Sequence, residues 1–407
     1  MNNNIRKLNW KRSFFTIWSG QAVSLITSSV LQMALVWHLT NSTGSAMVLS
    51  IATMVGFLPQ AILGTMIGVF VDRWNRKLVM IGADIMIAAA GMILALISLN
   101  MQLPVWAVMA VLLIRSIGTA FHSPALSAAT PALVPDENLT KCAGYSQSIQ
   151  SISFILSPAL AALIYAHWGL NAAIALDVLG AIIACITVAV VSFPSQGSQT
   201  ISDERHFITD FKEGYHVMQK HKGLFALLWI GTLYAFAYMP INALFPLMAI
   251  QYYGGTTTHA SIIETAFAVG MMLGGILLGV WGGFRNRAVS IISSIFMMGA
   301  SITISGLLPQ SSFVIFALCS LLMGFSAPFY AWVQTALIQS KISSEYLGRI
   351  FGLLGSLNSF AMPLGLILSG VFADKIGIQH WFTITGIFIC LVGALAMTMS
   401  SIRKIDQ

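Results

Sequence analysis

The ten residues 68–77, GVFVDRWNRK, carry four charged side chains in their last six positions, in a chain that is only 8% charged. Long apolar runs flank them on both sides. Charge held to a short connector between greasy segments is the pattern of a loop at a membrane surface. The rest of the chain repeats it: 57% of the 407 residues are hydrophobic, and the apolar residues fall in segments divided by short polar breaks. A helix crossing about 30 Å of hydrocarbon at 1.5 Å per residue needs about 20 residues. Twelve segments meet that length: 13–40, 45–70, 78–99, 104–127, 141–166, 171–193, 223–251, 259–283, 289–308, 311–338, 348–372 and 380–400. The sequence therefore predicts an all-α membrane protein with twelve transmembrane helices. The first apolar run is too long for the apolar region of a signal peptide.

The net charge of +7 is distributed by side rather than gathered for nucleic acid. The N-terminus, the loops after even-numbered spans and the C-terminus hold 18 of the 20 Lys and Arg. Only Lys375 lies in a loop after an odd-numbered span, and Arg115 lies inside span 4. Positive charge resists translocation, so the pattern predicts that both termini are cytoplasmic. The four cysteines have neither metal-ligand nor redox spacing.

The longest polar stretch, 194–222, separates six spans from six. Phe207, Phe211, Tyr215 and Met218 recur in it at helical spacing, which predicts an amphipathic helix at the cytoplasmic interface. The organisation expected is a six-helix bundle over 1–193, a linker with that helix over 194–222, and a second six-helix bundle over 223–407. The halves resemble each other. GVFVDRWNRK aligns with GVWGGFRNRA at 279–288, so that Asn75 meets Asn286 and Arg76 meets Arg287, a shift of 211 positions. LTKCAGYSQSIQS at 139–151 aligns with LGRIFGLLGSLNS at 347–359, a shift of 208. Two similar shifts indicate a duplicated unit, and parallel repeats about an axis along the membrane normal are the plan of a rocking transporter.

Gly64 and Gly68 share a helical face and allow close helix approach. Asp72 then falls at the cytoplasmic end of span 2, where it can meet the positive N-terminus of span 11 near Gly348. Arg73, Arg76 and Lys77 anchor the connector at the anionic inner surface. Gly64, Gly68, Asp72, Arg73 and Arg76 thus form a candidate conformational latch.

The pattern Gly68-x-x-x-Asp72-Arg73-x-x-Arg76-Lys77 resembles the loop 2–3 signature of the major facilitator superfamily, with Asn75 where glycine is usual. LLIRSIGTAF in span 4 resembles the arginine-containing signature of its proton-driven exporters, one residue shorter between Arg115 and Gly118. Ser157-Pro158 replaces their Gly-Pro in span 5. The stretches WSGQAVSLITS, IRSIGTAFHSPAL, MPINALFPL and YLGRIFGLLGS resemble the macrolide-efflux group of that superfamily across essentially the whole chain. The resemblance implies the major facilitator fold, proton-driven export of macrolides from the bacterial cytoplasm, and action beside a cytoplasmic ATP-binding resistance protein.

Charges inside a membrane are costly and are functional candidates. Arg115 can hold a nearby acid ionised and release it as helices move; Glu264, the sixth residue of span 8, can carry the proton or meet a macrolide amine. Arg115 and Glu264 are the candidates for proton coupling. Asp84, two turns beyond Lys77, reads as a partner of the loop 2–3 cations, and Asp177 as one half of a structural pair. Mid-span polar and aromatic residues mark a substrate cavity: Gln21, His122, Gln147, Tyr234, Tyr238, Asn242, Trp332 and Gln334. Singly, such residues also serve as glue between helices; their concentration on spans 1, 4, 7 and 10 is what points to a cavity.

No Gly-x-x-x-x-Gly-Lys-Ser/Thr loop, His-Glu-x-x-His or Gly-x-Ser-x-Gly motif occurs. The expectation is a monomeric transporter without cofactor, metal or nucleic acid, not an enzyme. A nutrient symporter on the same fold and an intramembrane enzyme are the alternatives; the first needs only the opposite direction of transport, the second a catalytic cluster.

Overall fold

The computed structural model describes residues 2–71, 74–191, 207–403 and 405–406. The described residues are helical almost throughout and contain no strand. In chain order the helices are α1 Asn2–Thr43, α2 Ala46–Val71, α3 Arg76–Asn100, α4 Val105–Leu133, α5 Leu139–Val190, α6 Phe207–Lys220, α7 Lys222–Leu247, α8 Thr257–Trp281, α9 Arg287–Leu307, α10 Phe313–Lys341, α11 Ser344–Ile376, α12 Ile378–Thr398 and α13 Ser400–Arg403.

Eleven of these helices are long and apolar enough to cross a membrane. The twelfth crossing is folded into α5, whose 52 residues contain two of the predicted spans. At 1.5 Å per residue a straight α5 would be ~78 Å long, more than twice the ~30 Å of a hydrocarbon core. Its backbone turns at Gly169, with φ 72° and ψ −171°. That region is open almost only to glycine. The predicted segments 141–166 and 171–193 therefore meet at one residue.

The other connections after odd-numbered spans are equally short. They are Gly44–Ser45, 101–104, 253–256, 308–312 and Gly377, which has φ 91°. Asp374, near the end of α11, accepts hydrogen bonds from Ser45 Oγ (2.6 Å), Ala46 N (2.5 Å) and Met47 N (3.1 Å). It thereby satisfies amides that the first turn of α2 cannot pair internally.

The chain divides into two compact units, Met1–Ser42 with Ala52–Thr200, and Thr43–Ile51 with Ile201–Gln407. In the first, α3 packs on α4 and α5. In the second, α10 packs on α8 and α9, α12 on α9 and α7, and α11 on α7. Lipid supplies no hydrophobic drive between helices, so close approach has to come from small residues. A β-carbon on Gly324 of α10 would strike the Phe267 carbonyl of α8, and one on Gly270 of α8 would strike the Leu321 carbonyl of α10. These two helices touch backbone to backbone.

The two connectors that the sequence aligns share local details. Asn75 caps α3, accepting from Lys77 N and Leu78 N, and Asn286 caps α9, accepting from Ala288 N. An asparagine oxygen satisfies amides that glycine would leave open, which is the local reason for Asn75. Arg76 then donates to the Ala128 carbonyl near the end of α4 (2.7 Å), and Arg287 to Ser340 Oγ near the end of α10 (2.6 Å). Lys77 Nζ donates to the carbonyls of Ala189 (2.5 Å) and Val191 (3.0 Å) at the end of α5. A cation at a helix C-terminus complements its dipole.

Where the sequence predicts an amphipathic helix, α6 forms and lies on its own unit. Glu213 pairs with Arg349 near the start of α11 (3.0 Å), and Tyr215 meets Phe225 of α7 edge-on at 5.4 Å.

Candidate functional site

Two groups of polar side chains are built into the helices, one in each unit. The first surrounds a cavity of about 260 Å³ between α1, α3, α4 and α5. Its walls are mainly apolar, from residues such as Phe14, Ile17, Leu25 and Leu126. Into it project Trp18 and Gln21 from α1, Asp84 from α3, His122 from α4, and Ser146 and Gln150 from α5. His122 Nε2 lies 3.5 Å from Asp84 Oδ1. Asp84 Oδ2, His122 Nε2 and Trp18 Nε1 are all buried and complete no hydrogen bond among the described residues, and the Gln21 amide faces the Asp84 carboxylate.

Placing Asp84 here corrects the expectation that it pairs with the loop 2–3 cations. Arg76 and Lys77 reach helix carbonyls instead. Asp84 turns inward and is 5% exposed. Its spacing of seven residues from Lys77 put both on one side of α3, but Lys77 sits in the first turn and bends to the end of α5.

Ser28 also lines the cavity and joins it to a buried ion pair. Arg115 of α4 pairs with Asp177 of α5 in a short contact. Ser28 Oγ donates to Asp177 Oδ1 (2.7 Å), and Arg115 donates to the Ser28 carbonyl (3.1 Å). Both ions are almost fully buried. Such a pair offsets its desolvation only when hydrogen bonds satisfy the remaining atoms, and Ser28 contributes two of them. Arg115 and Glu264, the two candidates for coupling, are not brought together within one unit: Arg115 is in the first, and Glu264 is half-buried on α8 in the second.

The second group is aromatic. Tyr234 and Tyr238 of α7 stack in parallel at 5.6 Å, and Tyr330 of α10 lies 4.5 Å from Tyr234. Asn242 Nδ2 donates to the Tyr238 hydroxyl at 3.5 Å, and Gln334 hydrogen-bonds Tyr330. A β-carbon on Gly231 would collide with the Tyr330 hydroxyl, so glycine there makes the space. Four of the predicted cavity residues, Tyr234, Tyr238, Asn242 and Gln334, therefore converge.

Trp332 does not join them. It is exposed and packs against Gly275 of α8, because two residues along a helix from Tyr330 point to nearly the opposite side. Gln147 is also exposed and absent from the first cavity, whereas Gln150, three residues on, lines it. Gly64 and Gly68 lie within α2, and Arg76 is placed as above; Asp72 and Arg73 lie outside the described residues. The sequence reading missed Trp18, Gln150 and Tyr330. Tyr330, four residues before Gln334, had a signal in that i, i+4 spacing; Trp18 and Gln150 had none beyond helical register with Gln21 and Gln147.

Comparison with known proteins places this architecture. The profile of the Major Facilitator Superfamily matches residues 17–254 and 227–404. Macrolide efflux protein A of Streptococcus pyogenes is 60% identical over 398 residues, 98% of this chain and 98% of that protein. Macrolide efflux protein A of Enterococcus faecalis is 61% identical over 323 residues, 79% of this chain and 100% of that protein. Among solved structures, the nucleoside transporter NupG superposes with a TM-score of 0.72 at 15% identity, covering 95% of this chain and 98% of that one.

Proposed function

The chain belongs to the Major Facilitator Superfamily and, within it, to the macrolide-efflux group, and on that premise we propose that it exports macrolide antibiotics from the bacterial cytoplasm in exchange for protons. The observation that carries this reading is 60% identity over 98% of both chains with a protein named for macrolide efflux. The chain is a multi-pass membrane protein. Its basic side chains lie overwhelmingly after even-numbered spans, which supports cytoplasmic termini in a bacterial cytoplasmic membrane.

In the mechanism we propose, residues 1–193 and 223–407 act as two bundles that rock about a shared central site, joined by 194–222. Gly64, Gly68, Asp72, Arg73 and Arg76 act as the latch on the cytoplasmic side. Substrate contacts come from Gln21 and His122 in one bundle, and from Tyr234, Tyr238, Asn242 and Gln334 in the other. Stacked tyrosines with amide partners suit a ligand that is apolar on one face and oxygen-rich on the other. Coupling runs through Arg115 and Glu264. Arg115 acts on Asp177, and helix motion that parts the two leaves each buried charge without its partner. The transporter works as a monomer, and a cytoplasmic ATP-binding resistance protein can act beside it.

The test is macrolide accumulation in a pump-deficient bacterium expressing the chain, with and without a protonophore. Accumulation falls on expression and recovers when the protonophore is added. Accumulation unchanged by expression removes the export reading; export insensitive to the protonophore removes proton coupling.

A further inference from the structure

The polar cavity of the first unit has a chemistry that its own residues do not complete. Trp18 Nε1 and Gln21 Nε2 can only donate hydrogen bonds, Asp84 Oδ2 as carboxylate can only accept, and His122 Nε2 can do either. Asp84 Oδ2, His122 Nε2 and Trp18 Nε1 are buried in the wall of one cavity without a hydrogen bond among the described residues, and the Gln21 amide turns toward the Asp84 carboxylate. Leaving such groups unsatisfied is costly. Their complement is a ligand with a cationic N–H for Asp84 and oxygen acceptors beside it for the indole.

A proton alone would answer Asp84 and leave the Trp18 indole idle. A metal ion would offer the donors nothing. A six-membered sugar ring with an ammonium substituent answers all of them, through its ammonium N–H and its neighbouring hydroxyl and ether oxygens. The apolar wall suits such a ring as well. Phe14 and the Trp18 indole supply aromatic surface, and a methylated ammonium gains from aromatic neighbours. Size points the same way. The cavity holds about 260 Å³, below the roughly 300–1,000 Å³ of a site that encloses a whole drug-sized ligand. It accommodates one end of a macrolide, not its macrocycle.

We infer that this pocket is a subsite for the protonated amino sugar of a macrolide, with the Asp84 carboxylate as counter-ion to its ammonium group. The inference rests on the export reading and names the part of the substrate that the first unit holds. Trp18 binds the sugar oxygens, and Gln21 and His122 flank the Asp84 carboxylate, His122 at 3.5 Å.

The experiment is calorimetric titration of the purified full-length protein in detergent with two probes. One is a 14-membered macrolide carrying a dimethylamino sugar. The other is its N-demethyl-N-acetyl derivative, which is neutral. Wild-type protein binds the basic probe at least tenfold more tightly. Asp84→Asn erases that preference by weakening the basic probe tenfold or more while the neutral one stays within twofold. Trp18→Phe keeps an aromatic ring, removes one donor and weakens both probes about threefold; it supplies a second readout if Asp84→Asn does not fold. A folded Asp84→Asn protein that still prefers the basic probe tenfold overturns the inference, as does unchanged affinity of both probes for Trp18→Phe. Export of macrolide by wild-type cells alongside either result leaves the export reading standing. Absence of both export and binding in the wild type sinks the two together.

Discussion

Removing the guanidinium of Arg115 strands Asp177, because Ser28 alone then faces the carboxylate. Breaking a buried pair from one side costs about 3–5 kcal/mol, whereas replacing both partners by apolar residues is often neutral. Arg115→Leu is therefore expected to lower the thermal midpoint of the purified protein sharply, and Arg115→Leu with Asp177→Leu to recover most of it. Export separates structure from coupling: the double variant stays folded but loses protonophore-sensitive efflux. A loss in the double variant equal to the sum of the Arg115→Leu and Asp177→Leu losses would show that the two side chains act independently. At this scale the sequence was only partly legible. It marked Arg115, Asp177, Asp84 and His122 as buried polar residues, since each interrupts an apolar run. It left their pairing open, because pairing depends on the rotation of α3, α4 and α5 about their own axes. Asp84 went to the wrong partner for that reason, and Trp332 was preferred to Tyr330 two positions away.

Single positions also decide how elements begin and end. Gly169 reverses the chain inside α5 with a backbone conformation that costs other residues about 1–3 kcal/mol. No neighbouring atom lies within 4 Å of a β-carbon built there, so Gly169→Ala isolates the backbone effect. The expected outcome is an unfolding free energy lowered by that amount, read as a lower thermal midpoint with helix content unchanged; an unaltered midpoint would mean that the turn relaxes freely. Helix existence and type were readable throughout, because an unbroken apolar run of about 20 residues has few other fates. Helix ends were less so. The sequence places the end of span 4 at 127, but α4 continues to Leu133 through Pro131. Proline there removes the amide that would donate to the Ser127 carbonyl, and the helix runs only two residues beyond it. The caps at Asn75 and Asn286 explain a departure that the family pattern alone only registers.

For the molecule as a whole, the charge pattern makes a statement about sidedness that chemistry can check. With the native cysteines replaced, single cysteines introduced in 194–206 should resist a membrane-impermeant maleimide applied to intact cells and react once the cells are lysed. Labelling in intact cells would invert the topology. The expectation of a duplicated unit came from two separate alignments with shifts of 211 and 208 positions, and asparagine caps recur at Asn75 and Asn286. Within each unit, the grouping of polar side chains was legible only as a list of spans, since composition says nothing of which helix faces meet. The connections after odd-numbered spans are a handful of residues at most, and two of them are single glycines, Gly169 and Gly377. On the proposed topology they are all that this protein shows to the outside world. An antibody or peptide raised to block it from the medium would find scarcely any protruding loop to grip, so a useful inhibitor has to be small and greasy enough to reach the pump through the route its drugs take.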